Sequence, residues 1–334
     1  MKIWGKDMDK TNIIKYFSKP VQKIFNQVSD KDFSNITEIR FRADKPILVN
    51  THMSEYSLTE TAIFTKNLEQ GFIICSDDIL KTIDLLSNFS MYSFEKEIKN
   101  GYITIKGGHR VGIAGTSIVE SGQIKTIKDF SSINIRIAKQ VIGASDKTLD
   151  YLVDVKTNKL QHTLIISPPA CGKTTLLRDI IRSISYGYKN QKGINIGVID
   201  ERQEIAASYM GVPQNDLGPR TDVLDNCPKV SGMLMLLRAM SPKVIAVDEL
   251  GTPEDIEAVE TIINSGVCVI ATAHGHNIED IKQRKNLKEI TSKNLFDRYI
   301  VLNPEAIGKV LHIYDKDFEL IYTDNNIKHI EVVA

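Results

Sequence analysis

The sequence predicts an α/β chain in which a parallel sheet flanked by helices follows a separate α+β domain. Three observations carry that prediction. From about residue 150 onward, strand-like and helix-like apolar patterns alternate one for one. The strands in that half are nearly all apolar, as strands covered on both faces are. The first of them runs directly into SPPACGKTT, Ser167–Thr175, which has the second half of a phosphate-binding loop. A chain of 334 residues accommodates two such domains, expected here at residues 1–150 and 151–334.

Before residue 150 the apolar residues come in short alternating runs separated by Gly, Asp and Ser. ITEIRFRADKPILVN, GYITIKGG, HRVGIAGTSIV and SINIRIAKQVIG each read as strands. Helical spacing is interleaved at about Asn12 to Val28, Asp77 to Asn88 and Ser93 to Ile98. The mixture predicts an α+β domain with mostly antiparallel pairing.

In the second half, HTLIIS is a buried strand and KTTLLRDIIRSI has the apolar spacing of a helix. INIGVIDE and KVIAVDELG are further buried strands. EDIEAVETIINSG is an amphipathic helix closed by Gly266, and VCVIATAHG is a fourth strand. The tail RYIVLNPEAIGKVLHIYDKDFELIY reads as small antiparallel strands added at the end.

Acidic and basic residues balance at 42 each, so the chain as a whole has no electrostatic reason to coat nucleic acid. One local basic cluster, KQRKNLK (Lys282–Lys288), reads as a solvated helix face; a nucleic-acid-dependent motor is the alternative it leaves open. No run is long and apolar enough for a membrane span. The stretch MKIWGKDMDKTNIIK lacks the apolar core and cleavage site of a secretory signal, so a cytosolic location is expected. Four scattered cysteines without CxxC spacing suit reduced thiols better than disulfides or zinc. Cys171 stands apart because its oxidation would block a ligand in the loop.

The chemistry concentrates in the second half. A phosphate loop works because consecutive backbone N–H groups point into one concavity at the start of a helix. Ser167, Pro168, Pro169, Ala170, Cys171, Gly172, Lys173, Thr174 and Thr175 supply that loop. Gly172 allows close approach to phosphate, Lys173 reaches the β and γ phosphates, and Thr174 helps hold magnesium. Ser167 stands where the usual pattern has its first glycine, a substitution that suits a backbone of negative φ.

In KVIAVDELG four apolar residues deliver Asp248 and Glu249 to a strand end, the form of a Walker B motif. Asp248 is expected in the magnesium shell, and Glu249 beside an attacking water. VIDERQE ends another strand with Asp200, Glu201 and Arg202, and ATAHGH ends a third with His274 and His276. Ligands of open α/β sheets gather at such carboxyl ends. Arg202, Arg220 in DLGPRTD and Arg238 in LMLLRAMSP are candidates to stabilise charge on a transferred phosphoryl group, from the same or a neighbouring subunit. The residues themselves point to magnesium-dependent ATP hydrolysis; a nucleotide-gated scaffold with negligible turnover is the other reading.

The series DER…GPRTDVLD…LRAMSP…VDELG resembles the ATPase core of the stage III sporulation protein AA family of endospore-forming bacteria. ITEIRFRADKPILV, GGHRVGIAGT and INIRIAKQ in the first half are similar to the same family, so the resemblance spans nearly the whole chain. More broadly it extends to the hexameric traffic ATPases of type II and type IV secretion and pilus assembly, and implies a RecA-like P-loop ATPase core. By that resemblance Asp200 and Glu201 match an acidic box and His274 a histidine box. An Asp-Glu pair replaces the Gly-Glu more usual at Walker B, which leaves the general base open between Glu249 and Glu201. The resemblance further implies ATP and Mg2+ as cofactors and a homo-hexameric ring. It also implies a position on the cytoplasmic face of the mother-cell membrane, where the chain energises a channel to the forespore. Its partners there would be the membrane proteins of the stage III A complex, with no nucleic acid.

Overall fold

In the computed structural model, residues 10–87, 101–154, 156–189 and 191–324 are described. The helix expected at Ser93 to Ile98, and Asn88 before it, lie outside them. The chain divides into two compact units. Among the described residues, one unit runs to Lys139 and also takes in Ala207–Gln214. The other comprises Gln140–Ala206 and the chain from Asn215 onward. The division falls ahead of the expected boundary at residue 150 for a visible reason. The Gln140 side chain donates to the Asp216 carbonyl and accepts from its N–H, both at 2.8 Å. Ser145 donates its N–H and hydroxyl to the buried carboxylate of Asp179 at 2.8 and 2.7 Å. Residues 140–150 are thereby tied into the second unit.

The amino-terminal unit has helices α1 (Thr11–Ile14), α2 (Lys19–Gln27), α3 (Asp30–Asn35) and α4 (Ser76–Leu86). Its strands are β1 (Ile36–Arg42), β2 (Lys45–Pro46), β3 (Leu48–Thr51), β4 (Glu55–Leu58), β5 (Phe64–Thr65), β6 (Ile73–Ile74), β7 (Tyr102–Ile105), β8 (His109–Glu120) and β9 (Gln123–Arg136). Seven of these form an antiparallel sheet in the order β5-β4-β3-β1-β9-β8-β7. Alternation sends Ile39, Phe41, Ile133, Ile135 and Val111 to one face, where they are buried against the helices. Phe17, Phe25 and Phe41 meet edge to face there, with ring centroids 5.0–6.4 Å apart. The single helix expected over Asn12 to Val28 is two helices, because Pro20 lacks the N–H that would continue α1 and instead opens α2.

The second unit contains strands β10 (Thr163–Ser167), β11 (Ile196–Asp200), β12 (Thr221–Asp225), β13 (Val244–Val247), β14 (Cys268–His274), β15 (Arg298–Leu302), β16 (Val310–Asp315) and β17 (Leu320–Thr323). Its helices are α5 (Lys173–Tyr186), α6 (Lys229–Ala239), α7 (Pro253–Asn264), α8 (Ile278–Gln283) and α9 (Lys288–Ser292). The sheet order is β12-β11-β13-β14-β10-β15-β16-β17. Six strands are parallel, and β16 and β17 extend the edge antiparallel. Of the tail expected to be wholly antiparallel, β15 is a parallel partner of β10. Successive residues of β10 serve opposite cores, Leu164 and Ile166 one and Ile165 the other, which is why these strands read as unbroken apolar runs. The basic cluster at Lys282–Lys288 is split between α8 and α9 with Leu287 buried between them, and is no single solvated helix face.

Candidate active site at the strand ends

Four neighbouring strands, β11, β13, β14 and β10, end on the same side of the parallel sheet, and each delivers a motif. Ser167 of β10 is in register with His274 of β14, and Val247 of β13 with Ala271. The phosphate loop, the Asp248–Glu249 pair, His274 and the Asp200–Arg202 turn therefore converge by topology alone.

The loop itself has the required backbone. Ser167 ends β10 in extended conformation and is fully buried, so no glycine is needed there. Its hydroxyl turns onto the Pro168 carbonyl at 2.9 Å. The left-handed positions fall later, at Ala170 (φ 61°) and Gly172 (φ 95°). Gly172 is the N-cap of the 14-residue α5 and has no side chain with which to satisfy the first N–H groups. An anion fits that cradle, and the positive end of the helix favours it. Cys171 is buried, with its thiol directed at the Pro169 carbonyl, so the thiol in the loop is sheltered from oxidants.

The Lys173 ammonium lies 2.9 Å from the Ser167 carbonyl, 3.0 Å from that of Pro168 and 3.0 Å from His274 Nδ1. Burial pulls its pKa down, and the carboxylates of Asp248 and Glu249 counteract this. Thr174 Oγ1 donates to Asp248 Oδ2 at 2.7 Å, and Thr272 Oγ1 donates to the other oxygen of Asp248. A hydroxyl beside a carboxylate suits magnesium, which takes few protein ligands and fills the rest of its shell with phosphate and water.

Glu249 occupies the left-handed region at φ 57°. Its N–H donates to Thr272 Oγ1 at 2.9 Å, and its carbonyl accepts from the Lys229 ammonium at 2.6 Å. The carboxylate lies between His274 Nε2 at 3.2 Å and Arg202 Nη1 at 2.5 Å. Glu201 faces Lys229 at 3.7 Å. Asp200 is buried and accepts from the N–H groups of Glu204, Ile205 and Ala206 at 2.7–3.1 Å. Burial pushes its pKa up against those three donors. Asp200 thus shapes the turn that presents Glu201 and Arg202.

Two of the arginines lie away from this cluster. Arg220 donates to the carbonyl of Ser185, at the far end of α5, about 18 Å along the helix from Lys173. Arg238 is in the last turn of α6, about 13 Å along that helix from Lys229. Of the three arginines, Arg202 alone meets the cluster. Three contributors were not singled out in the sequence: Lys229, Thr272 and Asp255, whose carboxylate lies 3.4 Å from Lys229. Thr272 carries a signal, since a strand puts it on the same side as His274. Asp255 shows only the capping-box spacing with Thr252, and Lys229 carries none.

The chain matches the family described as "Sporulation stage III, protein AA" over residues 7–321. It belongs to that family. Stage III sporulation protein AA of Bacillus subtilis (strain 168) is 40% identical over 319 residues, 95% of this chain and 98% of that protein. Among solved structures, the Legionella pneumophila ATPase DotB matches with a TM-score of 0.55 at 13% identity, over 88% of this chain and 81% of that one. The pilus retraction motor PilT with bound ADP gives 0.51 at 15% identity, over 80% and 74%. At such identities the likeness speaks for the fold: this stage III AA family member has a RecA-like P-loop core that follows an amino-terminal α+β domain in the chain.

Proposed function

We propose that this protein is a magnesium-dependent ATPase whose turnover energises a secretion-like channel complex between mother cell and forespore. The observation that supports it most is the meeting of Lys173, Thr174, Asp248, Glu249 and His274 at four adjacent strand ends. Lys173 binds the β and γ phosphates over the loop Ser167–Thr175, and Thr174 with Asp248 holds the magnesium. When bound, that ion neutralises charge on the phosphate oxygens. Glu249 orients and deprotonates the attacking water, and His274 reports the γ phosphate to it through the contact they already share. Glu201, whose carboxylate faces Lys229, is the lesser candidate for the base.

That DotB is an ATPase and that PilT holds ADP agree with this reading. Arg220 and Arg238, remote from the cluster in their own subunit, act on a neighbour's site if they act on phosphate at all. The working form in this reading is a homo-hexameric ring held to membrane-spanning stage III A proteins on the mother-cell side. Among the described residues no helix is long and apolar enough to cross a membrane. The amino-terminal unit is the docking surface in this scheme, the chemistry being in the other.

Steady-state hydrolysis and equilibrium ATP binding in two variants test the core of it. Glu249→Gln should keep binding and lose about 10²–10⁴-fold in kcat, the usual range for a general base. Normal turnover in Glu249→Gln together with its loss in Glu201→Gln would move the base to Glu201. No ATP binding by the wild type would reject the ATPase reading.

A further inference from the structure

Glu249 sits in a backbone region that only surrounding contacts can hold. A non-glycine residue at φ 57° carries backbone strain and persists there when its surroundings over-determine it. Two side chains from other elements grip its peptide groups. Thr272 of β14 accepts its N–H, and Lys229, the first residue of α6, donates to its carbonyl. The Lys229 side chain is only 14% exposed, and its ammonium also faces Asp255 at 3.4 Å and Glu201 at 3.7 Å. Asp255 in turn accepts from the N–H groups of Gly251 and Thr252 at 3.0 and 3.1 Å, the residues that follow the Asp248–Glu249 pair and lead into α7. One cation thus ties together the turn after β11, the turn after β13 and the start of α7.

We propose that Lys229 is the positioning residue of the site. It fixes the Glu249 backbone so that the carboxylate points toward the phosphate loop, and it holds Glu201 beside itself as a counter-ion. The geometry separates the two acids. Glu249 has its carbonyl, not its carboxylate, on the lysine, and its carboxylate lies instead between His274 and Arg202. Glu201 spends its carboxylate on the ammonium. This inference rests on the ATPase reading for its catalytic consequence, but its structural half stands without nucleotide.

The experiment compares wild type with Lys229→Met, which loses donor and charge, and Lys229→Gln, which keeps a donor for the Glu249 carbonyl. The first readout is amide hydrogen exchange over Glu249–Thr252 in the protein without nucleotide. Exchange there should quicken about tenfold in Lys229→Met, the loss of one buried charged hydrogen bond, and recover part-way in Lys229→Gln. The second is steady-state kinetics with ATP: kcat should fall about tenfold or more with KM within about twofold, again partly restored in Lys229→Gln. A folded Lys229→Met with wild-type exchange over these residues overturns the inference whatever the turnover. Should Lys229→Met not fold, Lys229→Gln carries the test, and wild-type exchange and kcat in that variant overturn it equally. Quickened exchange alongside a wild type without turnover would instead leave Lys229 as the positioning residue and count against the ATPase reading.

Discussion

Thr272 holds both members of the acidic pair, donating to Asp248 and accepting from the N–H of Glu249. Thr272→Val keeps the shape and removes both bonds, leaving a half-buried carboxylate oxygen short of a donor. The variant should be less stable by about 1–3 kcal/mol and lose magnesium-dependent turnover. Wild-type stability and magnesium dependence would count against this role. At the other functional extreme, His109 is buried in the amino-terminal unit, where desolvation lowers its pKa from 6.5 to about 4. In the unfolded chain it takes up a proton below pH 6.5, while in the fold it stays neutral to about 4. Its contribution is therefore complete above pH 6.5 and is lost as the pH falls toward 4, by about 3 kcal/mol. Urea unfolding at pH 7.5 and 4.5 should show a larger acid loss in wild type than in His109→Gln, and equal losses would refute the buried-imidazole origin.

At the scale of elements, the phosphate loop depends on a second loop packed over it. The Gly308 N–H donates to the Cys171 carbonyl at 2.9 Å, and a Cβ on Gly172 would come within 3.0 Å of the Gly308 backbone. Since Gly172 also has φ 95°, Gly172→Ala should destabilise by about 1–3 kcal/mol and weaken ATP binding; unchanged binding by calorimetry would show the loop more tolerant than its contacts imply. The strands carrying the site were legible because burial on both faces leaves long Ile/Val runs, and the motifs sit at their ends. β12 was not: TDVLD is only half-buried at the sheet edge, so its apolar signal is weak. The break between α1 and α2 lies at Pro20, and apolar spacing that continues across it hides the break in the sequence. Within the site, loop and Walker B residues were readable from spacing. Lys229 was not, because its role comes from three segments meeting in space, and Asp255 shows in the sequence only as the capping-box partner of Thr252.

For the whole molecule, the segment Ala207–Gln214 belongs to the amino-terminal unit, although the chain on either side belongs to the other. Asp200 gathers the N–H groups of residues 204–206 immediately before that crossing. Arg220 and Arg238 lie away from the cluster, and the proposed ring would give them a use at a neighbour's site. The most direct measurement is ATP hydrolysis by the purified protein with magnesium over a wide range of protein concentration, with Lys173→Ala as control. Specific activity that rises with concentration and vanishes in Lys173→Ala is the predicted result. Hydrolysis that survives in Lys173→Ala, or its complete absence alongside a failure to bind ATP, would contradict it.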